Sequence, residues 1–363
     1  MFIKTKKITL NASLIIATLL AACTPNNTST PTKYENGIFT INEGPFQNGT
    51  GTMSFYNEKD QTTQNDVFQT ENNRPIGNIA QSIAFHEGKG YIVVNNAQKI
   101  EIVDAKTFKS TGVINGLNQP RYFVGVASNK AYVSQWGADG SSGNIAVVNL
   151  SNNTIIKNIA TGKGSEQMLA AGAVNKLIYV CNSGGFANDT TLTVINPTTD
   201  QIVKQIKVGD NPNSIAIDKN GKIWVLCGGK NNFMNPSLST AGQLIKIDPN
   251  TNTVEKIITF SSNQNHPNEL TLSPNGLTLY YLDNFYGGKL FAQNTDANTL
   301  NTTPLINNKT FFTIGTHNRN GQDLIYAAGG TFAANGKAYR YKTDGTLVDS
   351  FAVGIIPTQF YFR

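Results

Sequence analysis

Three features of the sequence predict an all-β chain. A strand-turn-strand unit recurs seven times, proline marks the start of the same strand in four units, and the C-terminal segment supplies a strand that the N-terminal unit lacks. Together they predict a seven-bladed β-propeller, closed by the C-terminal strand joining the N-terminal blade.

The chain opens MFIKTKKITLNASLIIATLLAACTP, with Lys4, Lys6 and Lys7 ahead of an apolar run that stops at Leu20-Ala21-Ala22-Cys23. Residues 1–22 read as a secretion signal, too short and interrupted for a membrane span. LAAC resembles the bacterial lipobox, which makes Cys23 the expected lipidated first residue and membrane anchor. Residues 23–36, with TPNNTSTPTKYE after the cysteine, have no apolar face and are expected to form a flexible tether. Residues 37–363 are expected to be a single propeller.

Losing the three signal lysines takes the formal charge from +6 to about +3, and the remaining lysines are scattered, which argues against a nucleic-acid partner. Apolar residues make up 39% and charged ones 14%, with 33 glycines, a balance that suits an extracytoplasmic β protein with long polar loops.

GIFTINEG, at Gly37, matches the second strand of the unit, so blade 1 begins without a first strand. First strands are seen in QPRYFVGVASNKAYVSQWG from Gln119, NPNSIAIDKNGKIWVLCGG from Asn211 and HPNELTLSPNGLTLYYLDN from His266. IPTQFYFR at the C-terminus is a further copy, and it completes blade 1. Pro120, Pro212, Pro267 and Pro357 hold one position at the start of this strand, where a missing N–H is tolerated. The third strands end at Asn57, Asp104, Asn149, Asn196, Asp248, Asn294 and Lys342, at spacings of 47, 45, 47, 52, 46 and 48 residues. Each four-stranded sheet is apolar on both faces, so it must be covered by a neighbour on either side.

Cys181 and Cys227 fall at equivalent places in adjacent blades. Packed sheets lie about 10 Å apart, beyond the reach of a disulfide, so two buried free thiols are expected. DPNTNT at Asp248 lacks the glycine and distal glutamate of a calcium loop and reads as a turn. NGTGT at Asn48 has no helix behind it to receive a phosphate and reads as a hairpin. His86 and His317 fall at turns between first and second strands, while His266 precedes a first strand at the opposite end of the blade, so no histidine metal site is expected. Asp283 and Glu43 end second strands and could reach the central channel.

The loops between second and third strands all emerge on one face. Six of the seven carry an aromatic residue among glycines: Phe46, Trp136, Phe186, Phe233, the pair Phe285 and Tyr286, and Phe332. Connections from fourth strands open on the same face and supply Arg74, Arg121, His266 and Gln359. Aromatic plates with polar donors around a depression are the composition of a ligand site.

GIFTINEGPFQNGTGTMSFYN and NRPIGNIAQSIAFHEGKGYIVVNNAQKIEIVD, with the NEG box at 42–44, IAQS at 79–82 and GYIVVNN at 90–96, resemble YVTN-type propeller lipoproteins. More narrowly, they resemble the BtuG-like surface proteins that capture cobalamin. The resemblance implies a noncatalytic protein, lipid-anchored at the outer membrane and displayed at the cell surface, that uses no cofactor, takes cobalamin or a related corrinoid as its ligand, and passes it to a TonB-dependent outer-membrane transporter. Two other readings stay open: a scaffold or adhesion propeller with a protein or glycan partner, and a carboxylate-based lyase or hydrolase.

Overall fold

The computed structural model describes residues 1–2, 33–46, 49–173, 176–284 and 287–363. Among them are seven antiparallel four-stranded sheets arranged as the blades of a propeller. Blade 1 takes its first strand, Pro357–Phe362, from the C-terminus and its second, Gly37–Asn42, from the N-terminal end of the fold. The two pair antiparallel, with Phe39 opposite Tyr361 and Ile41 opposite Gln359, so the predicted closure is present. Residues 3–22 of the signal segment and Cys23 lie outside the described residues. Tyr34 departs from the expected tether: its ring is buried against Phe39, Phe55 and Phe108, and its hydroxyl donates to Glu71 at 2.6 Å.

Period-two alternation divides every second strand between two neighbours. In Lys89–Val94, Ile92 and Val94 pack with Phe39 and Phe55 of blade 1, while Tyr91 and Val93 pack with Phe123 and Val133 of blade 3. Each blade junction has a hydrophobic cluster of its own. The cluster between blades 4 and 5 holds Tyr179, Val225 and the two thiols. Cys181 and Cys227 are free and buried. Burial raises both thiols, Cys227 to about 12, so neither supplies a nucleophile near neutral pH.

A second tie repeats along the ring. The aromatic of a second strand reaches across to the outer turn of the next blade: Tyr132 donates to Asp200, Tyr179 to the Pro249 carbonyl at 3.2 Å, and Tyr326 to Glu58 at 3.0 Å. The last of these spans the joint between blade 7 and blade 1, where Glu58 also pairs with Arg319 at 2.6 Å and Arg340 at 3.1 Å.

Candidate functional site

First strands line the central channel with an exposed inner edge, and here they do not run regularly. In blades 2, 3, 4, 5 and 6 the register against the second strand slips near the start of the first strand, between Ala80 and Ser82, Pro120 and Phe123, Ser165 and Met168, Pro212 and Ser214, and Asn268 and Thr271. Blade 1 slips in the same place, between Pro357 and Gln359. A β-bulge re-aims the side chains it carries. Here it points Gln81, Arg121, Tyr122, Glu166, Gln167, Asn213, Glu269 and Thr358 into one central cavity, which Glu43, Asn268 and Phe312 complete.

The residue ahead of the bulge is left-handed in five blades: Ile79, Gln119, Gly164, Asn211 and Ile356 have φ between 50° and 58°. This turns the carbonyl of that residue towards the loop after the second strand. Ser183 N donates to Gly164 O at 2.9 Å, Gly228 N to Asn211 O at 2.8 Å and Glu43 N to Ile356 O at 2.9 Å. Each aromatic loop in these blades is thereby fastened to the bulge beneath it, and cavity and loops share a face.

One cation stands in the cavity. Arg121 Nε donates to both Glu166 oxygens, at 3.0 and 3.2 Å, and Nη1 donates to Gln81 Oε1. The guanidinium lies 4.3 Å from the Trp136 ring centre, and Trp136 Nε1 donates to Glu166 at 3.1 Å. Burial works against the Arg121 charge, but Glu166 outweighs it and holds the pKa above its ordinary value.

Two further carboxyls have no such partner. Burial, joined by repulsion from Glu166, raises Glu43 above the usual carboxylate range despite the pull of Arg121. Burial also lifts Glu269 to about 7, although Thr313 Oγ1 donates to it at 2.7 Å and the Ile314 N–H favours its charged form. Asn268 Oδ1 is buried and accepts no hydrogen bond among the described residues. The cavity offers about 90 Å³, far below the roughly 300 Å³ at which pockets for drug-sized ligands begin. A large ligand must therefore lie across this mouth.

Around the mouth, Phe46 is 70% exposed, Phe186 77%, Phe233 86% and Phe332 55%. Phe186 meets Trp136 edge-on at 5.4 Å, joining two loops, and Phe332 stacks on Phe312 of the cavity lining at 5.4 Å. Phe285 and Tyr286 lie outside the described residues.

The polar residues expected at the rim divide. Arg121 lines the cavity. Arg74 does not: it donates to the buried Glu101 and lies over Phe68, because the connection before blade 2 includes the helix Val67–Asn72 and holds Arg74 over the outer strands. Gln359 is used internally, its Oε1 accepting from Ile83 N at 2.7 Å. His266 Nδ1 is 3.0 Å from Gly228 O, so it pins the long loop of blade 5. Asp283 also departs from expectation. Its backbone N–H donates to Lys289 O at 3.2 Å and its carboxylate accepts from Lys289 N at 2.7 Å, and it lines a separate cleft beside Phe260 and Phe291.

Gln81, Tyr122, Glu166, Gln167, Asn213, Asn268 and Glu269 were not anticipated from sequence. The signal was available: in aligned units they follow the proline, or its equivalent, by one to two residues.

No curated protein matches the sequence. The structure is similar to a quinonprotein alcohol dehydrogenase-like protein from Bacteroides thetaiotaomicron, at a TM-score of 0.65 and 14% identity over 91% of this chain and 78% of that one. It is also similar to hydrazine synthase of Kuenenia stuttgartiensis, at 0.57 and 12% identity over 84% and 95%. At such identities the likeness establishes the propeller fold alone. Residues 36–352 match DUF5074, a domain of unknown function, and the chain belongs to that family.

Proposed function

We propose that this protein is a noncatalytic ligand-capturing lipoprotein, anchored through Cys23 at the outer membrane, whose loop face receives a broad ligand and presents it to a TonB-dependent transporter. The observation that carries the reading is the pairing, on one face, of exposed Phe46, Phe186, Phe233 and Phe332 with the amide-rich mouth of Gln81, Gln167, Asn213 and Asn268. A corrinoid suits it: the ring system is a wide disc with a fringe of amides, too large for a 90 Å³ cavity but matched to aromatic plates around that cavity. The unpartnered Asn268 Oδ1 favours a ligand that brings an N–H donor.

Calorimetric titration of residues 33–363 with cyanocobalamin tests this. Heat of binding at micromolar protein is expected, and Phe186→Ala is expected to weaken binding by about 1 to 2 kcal/mol, or roughly five- to thirtyfold. No heat from the unmodified protein would remove the corrinoid as the ligand.

One observation favours a second reading. Burial pushes Glu269 up to about 7 and also raises Glu43, which is how carboxyls are tuned for acid–base work in a lyase or hydrolase. An activity abolished by both Glu269→Gln and Glu43→Gln would establish it over capture.

A further inference from the structure

Blade 6 departs from the other blades in its outer half. Its third strand, Gly288–Asn294, meets the fourth, Ile306–Phe311, only at Gly288 opposite Phe311 and Leu290 opposite Ile306. Residues 295–305 run between them, where other blades turn in four or five residues. The departure leaves a cleft of about 250 Å³ between this run and the end of blade 5, sharing no residue with the central cavity.

Its floor is aromatic. Phe291 is half-buried, backed by Tyr281 in parallel at 5.5 Å, and Phe260 meets Tyr281 edge-on at 5.4 Å. Its rim is polar and includes Ser261, Asn265, Asp283 and Thr302. The side chains of Ser261, Asn265 and Thr302 make no hydrogen bond among the described residues, whereas Asp283 is held in place by Lys289 N. Among the described residues no lysine or arginine lines the cleft, which leaves it without a cation to balance a phosphate or carboxylate on a ligand.

We propose that this cleft is a second ligand site, which takes one uncharged pyranose ring with its C–H face against Phe291 and its hydroxyls on Asn265, Asp283 and Thr302. A pyranose has the required two-sidedness: an apolar ring face and an equatorial belt of hydroxyls that both donate and accept. The rim supplies the complement, since a carboxylate accepts, an amide does both and hydroxyls adapt. Volume decides the size class. At about 250 Å³ the cleft falls just under the range for drug-sized ligands, enough for a single ring and too little for a corrinoid.

Saturation-transfer NMR on the full chain, with the methyl glycosides of glucose, galactose, mannose and N-acetylglucosamine as probes, tests the proposal. At least one probe is expected to receive saturation. That signal should fall roughly tenfold in Phe291→Ala and drop clearly in Asn265→Ala, which alters the rim without touching the core. Phe186→Ala, on the loop face, should leave it unchanged, and Phe291→Ala should bind cyanocobalamin as the unmodified protein does. Absence of transfer to all four probes overturns the proposal. So does a signal that survives both cleft variants, or one that is lost in Phe186→Ala.

Discussion

Glu269 shows what the bulge costs and what it supplies. Its carboxyl is turned into a small cavity whose only cation among the described residues, Arg121, is already engaged by Glu166, so burial lifts its pKa from an ordinary 4.5 to about 7. The folded state then holds a proton that the unfolded state has released. Stability from this group is full below about pH 4.5 and is lost as pH rises to about 7, at 1.36 kcal/mol per unit, or roughly 3 kcal/mol in all. Glu269→Gln is expected to flatten that slope and to be the more stable protein at pH 8, measured by urea unfolding across the interval. An unchanged pH profile would mean that the carboxyl is solvated. Trp136→Ala acts in the opposite sense: it strips the Arg121–Glu166 pair of a donor and of the ring that covers it, and about 1 to 3 kcal/mol of stability should be lost.

At the scale of the element, the left-handed residue and the bulge behind it form one device, used in five blades. Gly164 shows its tolerance. A Cβ there would stand 2.0 Å from Gly185 N, in the loop that carries Phe186. Gly164→Ala should cost about 3 kcal/mol through strain and overlap combined, and proteolysis should cut the 183–190 loop sooner than in the unmodified protein. The device also explains which residues could be read from sequence. Phe46, Phe186, Phe233 and Phe332 stood out because an aromatic among glycines has no place in a period-two strand. Arg121 stood out as a polar residue in a connection that follows a fourth strand. Glu166, Asn213 and Glu269 did not, because a bulge breaks the alternation that would have assigned them a side, and their segments read as ordinary strand starts. Arg74 was misplaced for a related reason: the helix Val67–Asn72 lengthens one connection, and distance along the chain no longer tracks distance from the axis. Asp283 and Glu43 hold equivalent places after second strands, yet only Glu43 is fastened to a first-strand carbonyl and so brought to the cavity.

For the whole molecule, the number of blades and the joint were legible because repetition is a property of spacing and needs no side-chain detail. What spacing does not reveal is how firmly the joint is held. Glu58 is almost wholly buried, and it joins Arg319, Arg340 and Tyr326 across the seam between the last blade and the first. Glu58→Ala would leave two cations without their shared partner and should cost about 3 to 5 kcal/mol, with a matching fall in the urea midpoint. Tyr326→Phe, which removes a single hydrogen bond, should cost about 1 kcal/mol. Deleting residues 355–363 is expected to abolish cooperative unfolding, because blade 1 would then face the channel with an unpaired second strand. A truncated protein that melts like the intact one would show that the ring closes without its final strand.

The strand that seals this ring follows every other strand of the propeller in the order of synthesis. Until the ribosome has released Pro357–Phe362, the polypeptide is an arc with two unsatisfied edges and cannot reach its final state. A stop codon placed just before Pro357 should therefore act as a loss-of-function allele, its product a substrate for proteases and aggregation.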